Sequence, residues 1–143
     1  MITVRELLKI KGEDIWSIPP QASIYEALQI MADKNVGALL VVEEARLVGI
    51  FSERDYARKV ILKGKSSKET PVGELMTQQV FSIHPNNSLE DCLKLMTDKH
   101  IRHLPVLEND RLIGILTIGD VVKHIISEQK STIQSLEDYI TAR

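Results

Sequence analysis

The segment Gly49-Ile50-Phe51-Ser52-Glu53-Arg54-Asp55 returns 65 residues later as Gly114-Ile115-Leu116-Thr117-Ile118-Gly119-Asp120. Working outward at that offset, the stretch from Ser17 to Asp55 aligns with Ser82 to Asp120 without a gap, and 16 of its 39 positions are identical. Ser17, Ile18, Pro20, Ser23, Leu28, Met31, Asp33 and Lys34 recur as Ser82, Ile83, Pro85, Ser88, Leu93, Met96, Asp98 and Lys99. Leu39, Val41, Glu43, Arg46 and Leu47 recur as Leu104, Val106, Glu108, Arg111 and Leu112. Such a period fixes the unit of folding before any local reading. Two copies are too few for a solenoid, so a pseudo-twofold pair burying a shared face is expected.

Local signals parse each copy in the same way. Trp16-Ser17-Ile18-Pro19-Pro20 and Phe81-Ser82-Ile83-His84-Pro85 read as short extended segments closed by a proline that cannot continue a ladder. A helix follows, opened by Ser23 with Glu26 and by Ser88 with Asp91, both spaced as capping boxes. Behind these caps, Ile24, Ala27, Leu28 and Met31 share one apolar stripe, as do Leu89, Cys92, Leu93 and Met96. The apolar runs Ala38-Leu39-Leu40-Val41-Val42 and Leu104-Pro105-Val106-Leu107 are suited to strands. Polar connectors, Glu43 to Arg46 and Glu108 to Arg111, lead into a second strand, so each copy holds a hairpin. A second helix starts near Ser52 and near Thr117, and short helices near Val4 to Lys9 and Val72 to Met76 lead in.

The 143 residues suit one domain or two small units that cannot each build a full core. With 18 Lys and Arg against 20 Asp and Glu, the net charge of −2 gives no overall electrostatic footprint for nucleic acid. Lys63, Lys65 and Lys68 form the one basic cluster, and nucleic acid is not an expected partner. The start, Met1-Ile2-Thr3-Val4-Arg5-Glu6, lacks a signal-peptide layout, and no apolar run approaches the ~18 residues of a membrane span. The expected location is the cytosol, away from membranes. Cys92 is the single cysteine, which rules out intramolecular disulfides. It aligns with Ala27 on an apolar stripe and reads as a buried small thiol. His84, His100, His103 and His124 form no metal signature, and no metal site is expected.

The order strand, helix, strand, strand, helix, together with the doubled Gly-Ile-Phe-Ser-Glu-Arg-Asp and Gly-Ile-Leu-Thr-Ile-Gly-Asp segments, resembles a tandem pair of cystathionine-β-synthase (CBS) domains. The resemblance implies an α+β fold of two β-α-β-β-α repeats about a pseudo-twofold axis, a Bateman-type module. It places repeat one at residues 1–62 with its lead-in helix, a linker at 63–71, and repeat two at 72–143 with a helical extension. It also implies a regulatory rather than catalytic role, with AMP, ADP, ATP or NAD as the ligand, a homodimer, and an effector protein of unknown identity.

The two Ser/Thr-x-x-Asp segments need no ligand to explain them, because each is itself a capping box. A capped helix start also turns amide hydrogens and the positive dipole end outward, which suits phosphate or sugar oxygens. By the resemblance, Ser52 with Asp55, and Thr117 with Asp120, hold the ribose. A carboxylate is a strong acceptor for a vicinal diol. Phosphate would meet Arg54, Arg58, Arg102, His103 and Lys123. Adenine would lie near Ser17, Ile18, Gly37, Ala38 and Leu39 in one cleft, and near Ser82, Ile83, Leu104 and Pro105 in the other. Arg102 and His103 align with the uncharged Gly37 and Ala38, so the two clefts are expected to be unequal. No catalytic constellation is visible: there is no nucleophile elbow, no phosphate-binding lysine loop and no histidine-carboxylate cluster. The alternative is a ligand-free oligomerisation module whose boxes act only as caps. In the tail, Val122, Ile125, Ile126, Ile133, Leu136 and Ile140 fall at broadly helical spacing, an apolar stripe suited to pack on the chain's own module or on a second subunit.

Overall fold

The computed structural model describes residues 2–12 and 14–141. The first copy comprises β1 (Ser17–Ile18), α2 (Ile24–Lys34), β2 (Ala38–Glu43) and β3 (Arg46–Ser52), preceded by the lead-in helix α1 (Val4–Lys11). A short α3 (Glu53–Asp55) continues from β3 as a π-helical turn over Tyr56–Val60 and a 3₁₀ turn over Ile61–Lys63. The second copy follows the lead-in α4 (Val72–Leu75) with α5 (Leu89–Lys99), β4 (His103–Glu108), β5 (Arg111–Thr117) and α6 (Ile118–Thr141). The fold is the expected α+β pair of repeats.

Equivalent residues do equivalent work. Ser23 and Ser88 cap α2 and α5 by accepting from the amides of Glu26 and Asp91, each at 3.1 Å. Asn35 and His100 end those helices in the left-handed conformation at φ 54°, which satisfies terminal carbonyls and gives His100 a capping job. The hairpins turn through Glu44-Ala45 and Asn109-Asp110, all four at positive φ, the geometry whose twist matches a two-residue turn to its strands. A bulge falls after Val41 and after Val106.

The copies differ at the first strand. β1 pairs in parallel with β2, whereas Ile83 makes only an isolated bridge to Val106. The reason is one residue. The Leu40 amide donates to the Trp16 carbonyl at 3.3 Å, but the aligned Pro105 has no amide hydrogen to give. Ile83 keeps only its bonds to the Pro105 carbonyl and from the Leu107 amide, both 3.0 Å.

The lead-in segments are exchanged between the copies. Val4, Leu7 and Leu8 of α1 are buried with Ile83, Leu89, Cys92, Met96, Leu104, Val106, Leu116 and Val121 of the second copy. In return Val72 is buried with Ile18, Ile24, Ala27, Met31, Leu39, Val41, Phe51 and Val60 of the first. The backbone follows the same symmetry: the Val4 amide donates to Asn87 and the Val72 amide to Ala22, while Arg5 donates to Pro85 and Gly73 to Pro20, all at 2.8–2.9 Å. Gly49 and Gly114 make room for this crossing. A β-carbon at Gly49 would stand 2.5 Å from the Met76 sulfur, and one at Gly114 would stand 2.8 Å from Leu8 Cδ2. The linker is also docked. Ile24 and Tyr25 donate to the carbonyls of Thr70 and Ser67, and the Lys68 ammonium sits 5.0 Å from the centre of the Tyr25 ring.

Candidate functional site

Both predicted hydroxyl–carboxylate pairs lie where the last strand of a copy, β3 or β5, ends and a helix begins. The sequence forces this placement. Ala38 pairs with Ser52 and His103 with Thr117 across the two hairpins. The first helical amides, of Glu53 and Ile118, donate back to the carbonyls of Gly37 and Arg102 at 3.0 and 2.9 Å. Each hydroxyl residue therefore faces the residues that open the preceding strand.

In the first cleft the carboxylate is saturated. Asp55 Oδ2 accepts from the Ser52 amide at 2.9 Å and the Ser52 hydroxyl at 3.0 Å. Its Oδ1 accepts from the Thr77 hydroxyl at 3.2 Å and lies 3.1 Å from Lys59 Nζ. Lys59 also donates to the Leu75 carbonyl at 3.1 Å. Lys59 lies four residues after Asp55, the ordinary spacing for an ion pair along a helix.

The second cleft keeps hydrogen-bonding capacity. Asp120 Oδ2 accepts from the Thr117 amide at 2.9 Å and from Lys11 Nζ at 2.8 Å. Among the described residues nothing donates to Asp120 Oδ1. The Asp120 amide donates to Thr117 Oγ1 at 3.0 Å, and the Thr117 side chain in turn hydrogen-bonds the Asp120 carboxylate. Burial opposes ionisation of Asp120, but the Lys11 hydrogen bond, the Thr117 amide, the Lys11 charge and the Thr117 hydroxyl outweigh it and hold the pKa below the ordinary carboxylate value. Beside it, His103 is pushed below its ordinary pKa by burial, with the Arg102 and Lys11 charges adding to that push and Asp120 and Glu53 opposing it. The neutral imidazole is the favoured form.

The clefts meet across the pseudo-axis. A β-carbon on Gly37 would stand 3.2 Å from Glu53 Oε1 and 4.0 Å from His103 Cε1, so the first copy's Gly37 and Glu53 border the second copy's His103. A cleft of about 350 Å³ opens against Gly37 and Glu53, walled by Leu28, Met31, Ala32, Asn35 and Val36. A larger hollow of about 400 Å³, between Pro20, Val48, Pro71 and Met76, contains none of the predicted ligand residues.

The family model for the CBS domain matches residues 4–62 and again 72–127. The chain belongs to the CBS-domain family. It is 38% identical over 148 residues to the mitochondrial CBS domain-containing protein CBSX3 of Arabidopsis thaliana, covering 96% of this chain and 71% of that one. A solved structure from Burkholderia ambifaria MC40-6, named as a candidate signal-transduction protein with CBS domains, is 45% identical with a TM-score of 0.86, covering 90% and 96% of the two chains. The CBS domain pair of protein MJ0100, solved in complex with 5′-methylthioadenosine and S-adenosyl-L-methionine, is 25% identical with a TM-score of 0.79 over 90% and 98%.

Within this CBS pair the predicted site residues divide by position and burial. Ser52, Asp55, Gly37 and Ala38 lie together at one strand–helix junction, and Thr117, Asp120, Arg102 and His103 at the other. Arg54, Arg58 and Lys123 are exposed on the helix faces beyond them. Leu39 and Leu104 are wholly buried, Ile18 and Ile83 nearly so, and Pro105 is buried too. These apolar residues serve the two cores first. Ser17 and Ser82 are exposed at the strand edges.

Lys11, Glu53, Lys59 and Thr77 join the clefts without having been read as site residues. Lys11 and Thr77 arrive on exchanged segments. The signal lies in a second register: Val4, Glu6 and Leu7 match Val72, Glu74 and Leu75 at an offset of 68, which marks the lead-ins as symmetry mates but not which core each joins. No helix among the described residues is long and apolar enough to cross a membrane.

Proposed function

We propose that this chain is a regulatory module that binds an adenine nucleotide, AMP, ADP, ATP or NAD, in its second cleft and acts through a partner protein or its own oligomeric state, without catalysis. The observation that carries this reading is Asp120 Oδ1, which accepts no hydrogen bond among the described residues, with Lys11, Arg102 and His103 around it. A ribose diol needs an anionic acceptor with a free oxygen, and a phosphate needs cations nearby. The MJ0100 pair, bound to two adenosine-type ligands, supports the ligand class.

Ribose is assigned to Thr117 and Asp120, phosphate to Arg102 and His103, and the base to the edge at Ser82 and the backbone of Leu104 and Pro105. Ser52 and Asp55 form the weaker cleft, since a ligand there must displace Lys59 or Thr77. The proposed setting is the cytosol, which fractionation tests; the Arabidopsis relative is named as mitochondrial.

A thermal-shift panel tests the proposal. A ligand at ~100 times its dissociation constant adds about 2.7 kcal/mol, or about 5 to 10 °C in Tm at this size. No shift with any adenine nucleotide at millimolar concentration sinks the reading.

A second reading is a ligand-free homodimerisation module. It is favoured by the outer face of α6, where Ile126, Ile133, Leu136 and Ile140 are exposed. Sedimentation distinguishes the two: this reading requires a dimer that is indifferent to nucleotide.

A further inference from the structure

Lys11 is the last residue of α1 and the only cation that reaches either carboxylate from the other copy's lead-in, among the described residues. Its Nζ stands 2.8 Å from Asp120 Oδ2 and donates to the Ile115 carbonyl at 2.7 Å. A lysine ammonium has three donors, so one remains for a ligand. The side chain is only 24% exposed, and its charge is thus screened less than that of an ordinary surface lysine. Lys11 leaves Asp120 Oδ1 open, so it does not block a diol.

The charges around the cleft balance through this residue. Asp120 and Glu53 are the anions that act on His103, and Lys11 and Arg102 are the cations. Removing Lys11 leaves this group one charge negative. A phosphate-bearing ligand meets repulsion in such a cleft, while a neutral nucleoside meets almost none. In the first cleft the matching carboxylate pairs with Lys59 of its own helix, so the arrangement belongs to the second cleft.

We propose that Lys11 is a specificity-determining residue of the second cleft, favouring anionic adenine ligands over neutral ones. This rests on the nucleotide-binding reading above. It places specificity for the second copy on a helix that precedes the first.

Calorimetric titration of the full chain with AMP and with adenosine tests it, using wild type, K11Q and K11R. The expected result is that K11Q weakens AMP by about tenfold or more while adenosine stays within about twofold, and that K11R keeps most of the AMP affinity. If K11Q weakens both ligands by the same factor, Lys11 is a structural pin and the specificity role falls, while nucleotide binding stands. The role also falls if K11Q leaves AMP unchanged. A wild-type protein that binds neither AMP nor adenosine overturns this inference, while the nucleotide reading is decided by the thermal-shift panel.

Discussion

Asp55 and Asp120 sit in the same capping box and finish with different hydrogen-bonding capacity. Their hydroxyl neighbours were legible from the repeat, because a cap is a local pattern. What fills the carboxylates was legible in one copy only. Lys59 stands four residues after Asp55, the ordinary spacing of a helical ion pair, whereas Lys11 reaches Asp120 from 109 positions away. The inequality expected from Arg102 and His103 concerned charge alone; the structure adds a difference in hydrogen-bonding capacity between Asp55 and Asp120. His103 carries a pH prediction. Its folded pKa lies below the unfolded value of about 6.5, so the unfolded chain binds the proton first as pH falls. Stability is then complete above about pH 6.5 and declines on acidification below it, with Asp120, Glu53, Arg102 and Lys11 as the charged neighbours. H103N should flatten the urea midpoint between about pH 6.5 and 5 relative to wild type; an unchanged slope would count against a buried neutral His103. Gly49 carries a packing prediction. G49A drives a methyl into Met76 and the Thr77 carbonyl, and chemical denaturation should show a loss of about 1 to 3 kcal/mol.

At the scale of elements, every helix and strand of the repeats was legible because caps, stripes and alternation are short-range. Two features were not. The second copy's first strand shrinks to a bridge because Pro105 lacks an amide, and one proline in an apolar run hides that loss. The lead-in helices cross to the opposite copy, and local sequence cannot say which of two similar cores a three-residue apolar face will join. The crossing makes a testable asymmetry. Leu8 is buried among second-copy residues and lies over Gly114, so L8A should lower stability by about 2 to 5 kcal/mol. Native-state hydrogen exchange should show the loss of protection in β4, β5 and α5 before β2 and β3. Equal deprotection of both copies would mean that the two cores open as one unit. The linker, basic and glycine-containing, reads as a free connector, yet its Ser67 and Thr70 carbonyls hold the start of α2.

The whole molecule is two cores clasped by exchanged segments, with the clefts where they meet. Cys92 reports on that clasp. It is fully buried, and burial pushes its pKa to about 11. The folded thiol stays protonated at pH 8, and alkylation there should proceed only at the rate at which the second core opens. Adenine nucleotide should slow it, since a ligand that binds the folded state suppresses opening. The outer face of α6 bears on assembly. I133K with L136K should convert a dimer to a monomer in sedimentation with little change in Tm; a persistent dimer would move the interface elsewhere. The central claim is that the second cleft, and not the first, takes the nucleotide. Calorimetric titration of wild type, D55N and D120N with the best ligand of an adenine-nucleotide panel tests it most directly. One site per chain is expected, retained in D55N and weakened at least about tenfold in D120N; loss of binding in D55N with D120N unaffected would place the nucleotide in the first cleft instead.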